Sequence, residues 1–82
     1  MEEALISCII NSYKCEICLL TGDNKGERVL AYLSRELYEN GTRLMLGAKL
    51  RANLERGRYI IRDYVYTIDR NQLTSGGIFD YK

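Results

Sequence analysis

From Arg28 to Arg62 the chain reads RVLAYLSRELYENGTRLMLGAKLRANLERGRYIIR, and the changes of period inside it leave few folds open. In RVLAYL, Val29, Ala31 and Leu33 fall on one face and Arg28, Leu30 and Tyr32 on the other, the two-residue period of a strand. Ser34 then stands where a helix N-cap belongs, and a helix of about Ser34–Asn40 follows, closed by Asn40-Gly41, two residues that tolerate the left-handed conformation. Ala48, Leu50, Ala52 and Leu54 alternate with Lys49, Arg51 and Asn53, which predicts a strand with a cationic outer face over Ala48–Leu54. Arg56-Gly57 turns the chain into Arg58–Tyr66, a long aromatic strand.

The remainder extends the same grammar. Leu5–Ile10 (LISCII) is β-branched and apolar on both faces, so a largely buried strand is expected there. Cys15–Leu20 is a second strand, and Gly22-Asp23-Asn24-Lys25-Gly26 is a turn between strands. Leu44, Met45 and Leu46 should plug the bottom of the core. Three strands, a short helix and two strands make an all-β chain with one short helix. That is the order of a five-stranded Greek-key barrel of the oligonucleotide/oligosaccharide-binding (OB) type. Another small β-barrel, or a three-strand meander with packed ends, is the alternative. The barrel is expected over residues 1–68 and a C-terminal tail over 69–82. Asp69–Leu73 could form a helical turn, and Ile78-Phe79-Asp80-Tyr81-Lys82 is too apolar for a purely solvated tail.

Eighty-two residues suffice for one core. A formal charge of +1 points by itself to neither nucleic acid nor an acidic partner. No apolar run approaches the ~20 residues of a membrane helix, and Met1-Glu2-Glu3 is acidic where a secretory leader is basic. Three cysteines, an odd number, fit reduced thiols. A cytoplasmic protein with no membrane partner is the expectation. No histidine is present, which removes the commonest general base and the commonest metal ligand together.

The segment Arg28–Arg62, about two-fifths of the chain, resembles the centre of the bacterial translation initiation factor one family and its eukaryotic/archaeal relative, initiation factor one-A. The residues that carry the likeness are Ala31-Tyr32-Leu33-Ser34, Asn40, Arg43, Gly47, Lys49, Leu54, Gly57 and Ile60-Ile61-Arg62. The resemblance implies an OB barrel that binds RNA, with the ribosome as one candidate partner. The family carries a basic cluster at the helix and its exit. Here Glu36, Leu37, Tyr38 and Glu39 take those places, and only Arg35 and Arg43 remain basic. Carboxylates there repel a phosphate backbone that a basic cluster would attract.

The expected binding surface is cationic and aromatic. Lys49, Arg51, Arg58 and Arg62 lie on the last two strands, with Tyr59 and Tyr64 among them. Tyr13-Lys14 occupies the first turn, and Arg43 follows the helix. In such a barrel the middle strands and the loops joining strands one–two and four–five line the ligand groove. Arg and Lys there would track phosphates, and tyrosines would stack bases at ~1–3 kcal/mol each. The plainer reading makes Lys49 and Arg51 the solvent face of a half-buried strand, with the tyrosines filling the barrel ends. Arg58 and Tyr59 can both face the groove only across a bulge.

No enzymatic machinery is expected, and no cofactor. Cys15-x-x-Cys18 with Cys8 offers three thiols where structural zinc needs four ligands. On a strand, residues three apart point to opposite faces, so buried free thiols are the better reading. The Gly22–Gly26 loop lacks the Gly-Lys-Ser/Thr ending of a phosphate loop. Ser and Thr have no His to activate them, and Glu36 with Glu39 reads as a solvated helix face. Two functions follow. One is a small RNA- or single-stranded-nucleic-acid-binding barrel that acts without chemistry. The other is a protein-interaction module, an adaptor or subunit of a larger complex, using strand edges of an open barrel or the tail.

Overall fold

A computed structural model describes residues 1–65 of the chain. The elements are β1 (Glu2–Ile9), β2 (Lys14–Leu19), β3 (Arg28–Leu33), α1 (Arg35–Glu39), β4 (Lys49–Glu55) and β5 (Arg58–Val65). The strands close into one barrel in the order β1-β2-β3-β5-β4. Every neighbouring pair is antiparallel except β3–β5, which run parallel over Ala31–Leu33 and Tyr59–Ile61. This is the five-stranded OB-type barrel with one short helix between its third and fourth strands.

Alternation selects the interior. Ala4, Ile6, Cys15, Ile17, Leu19, Ala31, Leu33, Ala48, Leu50, Ala52 and Ile61 point inward and are buried. Four of these are alanines, and Ala4 beside Leu19 and Leu50, with Ala52 beside Ile61, sets small against large so that a narrow barrel closes without overpacking. Helix α1 buries none of its residues completely. Ser34 caps it, accepting the Leu37 N–H on its hydroxyl at 3.2 Å, and Leu37 packs partly against the core.

Four expectations are corrected. First, β1 begins at Glu2, because Glu2 and Glu3 pair with Ala52 and Arg51 and so help close the barrel. Second, LISCII is not buried throughout. The β1–β2 register shifts between Ile6 and Cys8, and pairing with β4 ends at Leu5, with Ile6 bonded to Gly47 and Ala48 just beyond. Past that bulge Cys8, Ile9 and Ile10 are exposed.

Third, Met45 and Leu46 do not plug the core; only Leu44 of that trio packs against it. The Ala48 N–H donates to the Met45 carbonyl at 3.0 Å, and Gly47 has φ 79°. A turn with positive φ at its third residue throws Leu46, its corner, outward. Fourth, the barrel is closed rather than open. Unpaired strand edge is short: Cys8–Ile9 on the β4 side of β1 and Arg28–Leu30 on the β5 side of β3 are examples. The expected tail, Tyr66 and the helical turn at Asp69–Leu73 lie outside the described residues.

Candidate nucleic-acid interface

Tyr32 stands at the centre of the outer face where β3 meets β2 on one side and β5 on the other. Its place follows from the alternation of RVLAYL, which turns Ala31 and Leu33 inward. Lys14 is its direct partner across the β2–β3 ladder, and the Lys14 ammonium lies 5.5 Å from the ring centroid. Ile60 is its partner across the parallel ladder. Arg58, two residues earlier on the same face of β5, brings its guanidinium carbon to 5.2 Å from the centroid. Both distances are within cation–π range. Neither cation has a carboxylate within ion-pair distance among the described residues.

The other expected cations are engaged. Lys49 and Arg51 face Glu3 at 3.5 and 3.9 Å, and Arg51 reaches Asp63 at 3.1 Å. Arg62 occupies the β5 position left unmatched where the β4–β5 register passes from Arg51–Asp63 to Ala52–Ile61. From there it donates two hydrogen bonds to Glu55, at 2.9 and 2.6 Å. This bond from Arg62 holds the Glu55 carboxyl below its ordinary pKa, against some loss of solvation, and raises that of Arg62 in turn. These partners are Glu3, Glu55 and Asp63, which pattern reading assigned no role opposite the cations.

The expected tyrosines divide. Tyr59 and Tyr64 are half-buried and pack against the core, and the Tyr64 hydroxyl accepts the Met45 N–H at 2.9 Å. The β4–β5 bulge lies at Arg62, so it does not bring Arg58 and Tyr59 to one face. Tyr13 is outward. Its N–H donates to the Asn11 side chain at 2.9 Å and its carbonyl accepts the Leu33 N–H at 2.8 Å, which fixes the loop before Lys14. Its ring meets that of Tyr38 on α1 edge to face, centroids 6.3 Å apart and planes at 89°.

A groove of about 500 Å³ opens beside this pair, between the β1–β2 loop and the exit of α1, with Ile9, Tyr38, Arg43 and Leu44 in its lining. A second depression, of about 550 Å³, lies beside Arg56, Arg58 and Ile60. The structure thus groups Lys14, Tyr32 and Arg58 on one outer face, and sets Tyr13 and Tyr38 as a separate pair between the first loop and α1. Lys49 and Arg51 sit on the outer face of β4, paired with β1 and β5. Tyr32 and Tyr38 are residues that sequence reasoning missed. For Tyr32 the signal was available, because the alternation already put it on the outer face beside Arg28 and Leu30.

No group of His, Cys, Asp and Glu among the described residues could hold a metal ion. Cys15 is buried and its thiol is pushed up to about 11, first by burial and then by the neighbouring Cys8. Cys18 faces the other side of β2 and Cys8 is exposed, which corrects the expectation that all three thiols are buried. Compared with models of known protein families, with curated proteins and with solved structures, the chain matches none.

Proposed function

We propose that this barrel binds single-stranded nucleic acid, RNA in the first instance, across the outer face centred on Tyr32, without chemistry. One observation carries the reading: two cations from different strands, Lys14 and Arg58, converge on one aromatic ring, with no carboxylate partner among the described residues. A base stacking on a ring flanked by cations places its phosphates within reach of them, and stacking with backbone neutralisation is how strands are held without sequence readout. Lys49, Arg51 and Arg62 are neutralised locally and contribute little to the field at the site.

The initiation-factor likeness supports a ligand of this class. It does not extend to the ribosomal grip of that family, because Glu36 and Glu39 are exposed on α1. A chemical-shift titration with short RNA and DNA oligomers at low salt tests the reading. Perturbations centred on Lys14, Tyr32 and Arg58 are expected. Failure of every oligomer to bind, or perturbations centred on Lys49 and Arg51, would overturn it.

The second reading, a protein-interaction module, is favoured by a different observation: Ile9, Ile10, Tyr13, Tyr38, Met45 and Leu46 all stand 40% or more exposed. Salt-independent capture of a protein partner by this end of the barrel, with no oligomer bound, would decide for it.

A further inference from the structure

We infer that the groove between the β1–β2 loop and the exit of α1 is the docking site for this chain's own segment Ile78-Phe79-Asp80-Tyr81. The groove is lined in part by Ile9, Tyr38 and Leu44, with Arg43 among its polar members. Exposed apolar surface continues beyond it at Ile10, Met45 and Leu46, the last 66% exposed. Contiguous apolar surface of this kind marks a place where something binds. Three observations choose the occupant.

The first is where the described chain leaves the barrel. Tyr64, the penultimate residue of β5, accepts a hydrogen bond from the Met45 N–H, one residue past Leu44 of the groove. The chain therefore departs beside the site. The second is reach. Residues 66–77 separate Val65 from Ile78, and twelve residues span up to roughly 40 Å when extended. Gly76-Gly77, just before the segment, permit a reversal of direction.

The third is chemistry. Ile78, Phe79 and Tyr81 supply apolar and aromatic side chains for a groove of about 500 Å³. Asp80 supplies a carboxylate for Arg43, which has none within ion-pair distance among the described residues. A tether this short holds the segment at an effective concentration on the order of millimolar, so a contact too weak to form between separate molecules is populated within one. The docked segment covers the apolar end of the barrel and leaves Tyr32, Lys14 and Arg58 open.

The test compares the full chain with its Phe79→Asp variant by amide and methyl NMR, at two protein concentrations twenty-fold apart. The expected result is nuclear Overhauser contact between the Phe79 ring and the Leu44 methyls in the wild type. In Phe79→Asp the signals of Ile9, Tyr38 and Leu44 shift while those of Ile17 and Ile61 stay in place. Arg43→Glu, on an exposed side chain, should weaken the same contacts. Unmoved groove signals in Phe79→Asp, or contacts from the segment to another face, overturn the inference. Contacts that grow with concentration overturn it too, and assign the groove to a second copy of the chain.

Discussion

Arg58 holds its guanidinium over the ring of Tyr32, 5.2 Å from centroid to Cζ, from a strand that runs parallel to the one carrying the tyrosine. The parallel ladder sets this relationship. With Tyr32 opposite Ile60, the residue two earlier on the same face is Arg58, close enough for a long side chain to lean across the ring. Lys14 approaches from the antiparallel neighbour on the other side. If this cluster is the binding surface, Tyr32→Ala should remove one stacking platform. The loss is expected at ~1–3 kcal/mol, a fall of roughly 5- to 150-fold in affinity for a short single strand. Arg51→Ala should change affinity by less than about two-fold, since Glu3 and Asp63 already occupy that guanidinium. Fluorescence anisotropy on the two variants makes the comparison.

The same placement bounds the salt dependence. Lys14 and Arg58 supply two phosphate contacts, and Arg56 on the adjoining turn raises the ceiling to three. Each contact on a single strand contributes a slope of about −0.7 in log K against log salt. A slope between about −1.4 and −2.1 is therefore expected for the wild type, reduced by about 0.7 in Arg58→Gln. A slope near zero would mean that no phosphate is engaged.

Much of the fold was legible because it rests on local alternation. RVLAYL, the Ser34 cap and the strand from Ala48 each announce themselves within a few residues, and the structure places them accordingly. What pattern could not supply was pairing between distant segments. Glu2 and Glu3 look like a solvated start until β4 lies beside them, and then Glu3 neutralises two of the expected binding cations. Likewise Tyr59 and Tyr64 are aromatic residues near arginines in sequence, but the bulge at Arg62 and the packing of β5 turn both toward the core. Side-chain direction on a bulged strand depends on its partner, which no single-strand pattern records.

The β4–β5 turn offers a stability test independent of ligand. Glu55 and Arg58 are paired, so Arg56 and Gly57 form a two-residue loop, and both have positive φ, 52° and 81°. That is the hairpin turn whose twist suits the strands, and its first position favours Asn or Gly over Arg. Arg56→Asn should raise stability by about 0.5–1 kcal/mol, and Gly57→Ala should lower it by about 1 kcal/mol or more. Urea midpoints at constant m-value provide the check.

Packing gives a sharper contrast. Ile17 is fully buried and Leu30, on the neighbouring strand, is 47% exposed. Ile17→Ala should cost ~2–5 kcal/mol, because a closed barrel cannot collapse around the missing atoms. Leu30→Ala should stay within about 0.5 kcal/mol of wild type. A large loss at Leu30 would show that its face is covered by something outside residues 1–65.

Finally, the thiols carry a pH signature. The Cys15 pKa is raised from 9.0 to about 11 in the folded barrel, chiefly by burial. Below pH 9 the thiol is protonated whether the chain is folded or not, and it contributes nothing to pH dependence. Between 9 and 11 the unfolded chain releases the proton while the folded chain keeps it, so unfolding is favoured and stability falls as pH rises. Above about 11 both states are ionised and this decline ends. The expected observation is a difference between two proteins. Wild type should lose more stability than Cys15→Val between pH 8.5 and 10.5. Alkylation should follow burial: Cys8 first, then Cys18, whose thiol donates weakly to the Gly26 carbonyl at 3.9 Å, and Cys15 only on unfolding. Rapid modification of Cys15 in the native protein would mean that the barrel opens along β2, and the alkaline difference should then vanish with it.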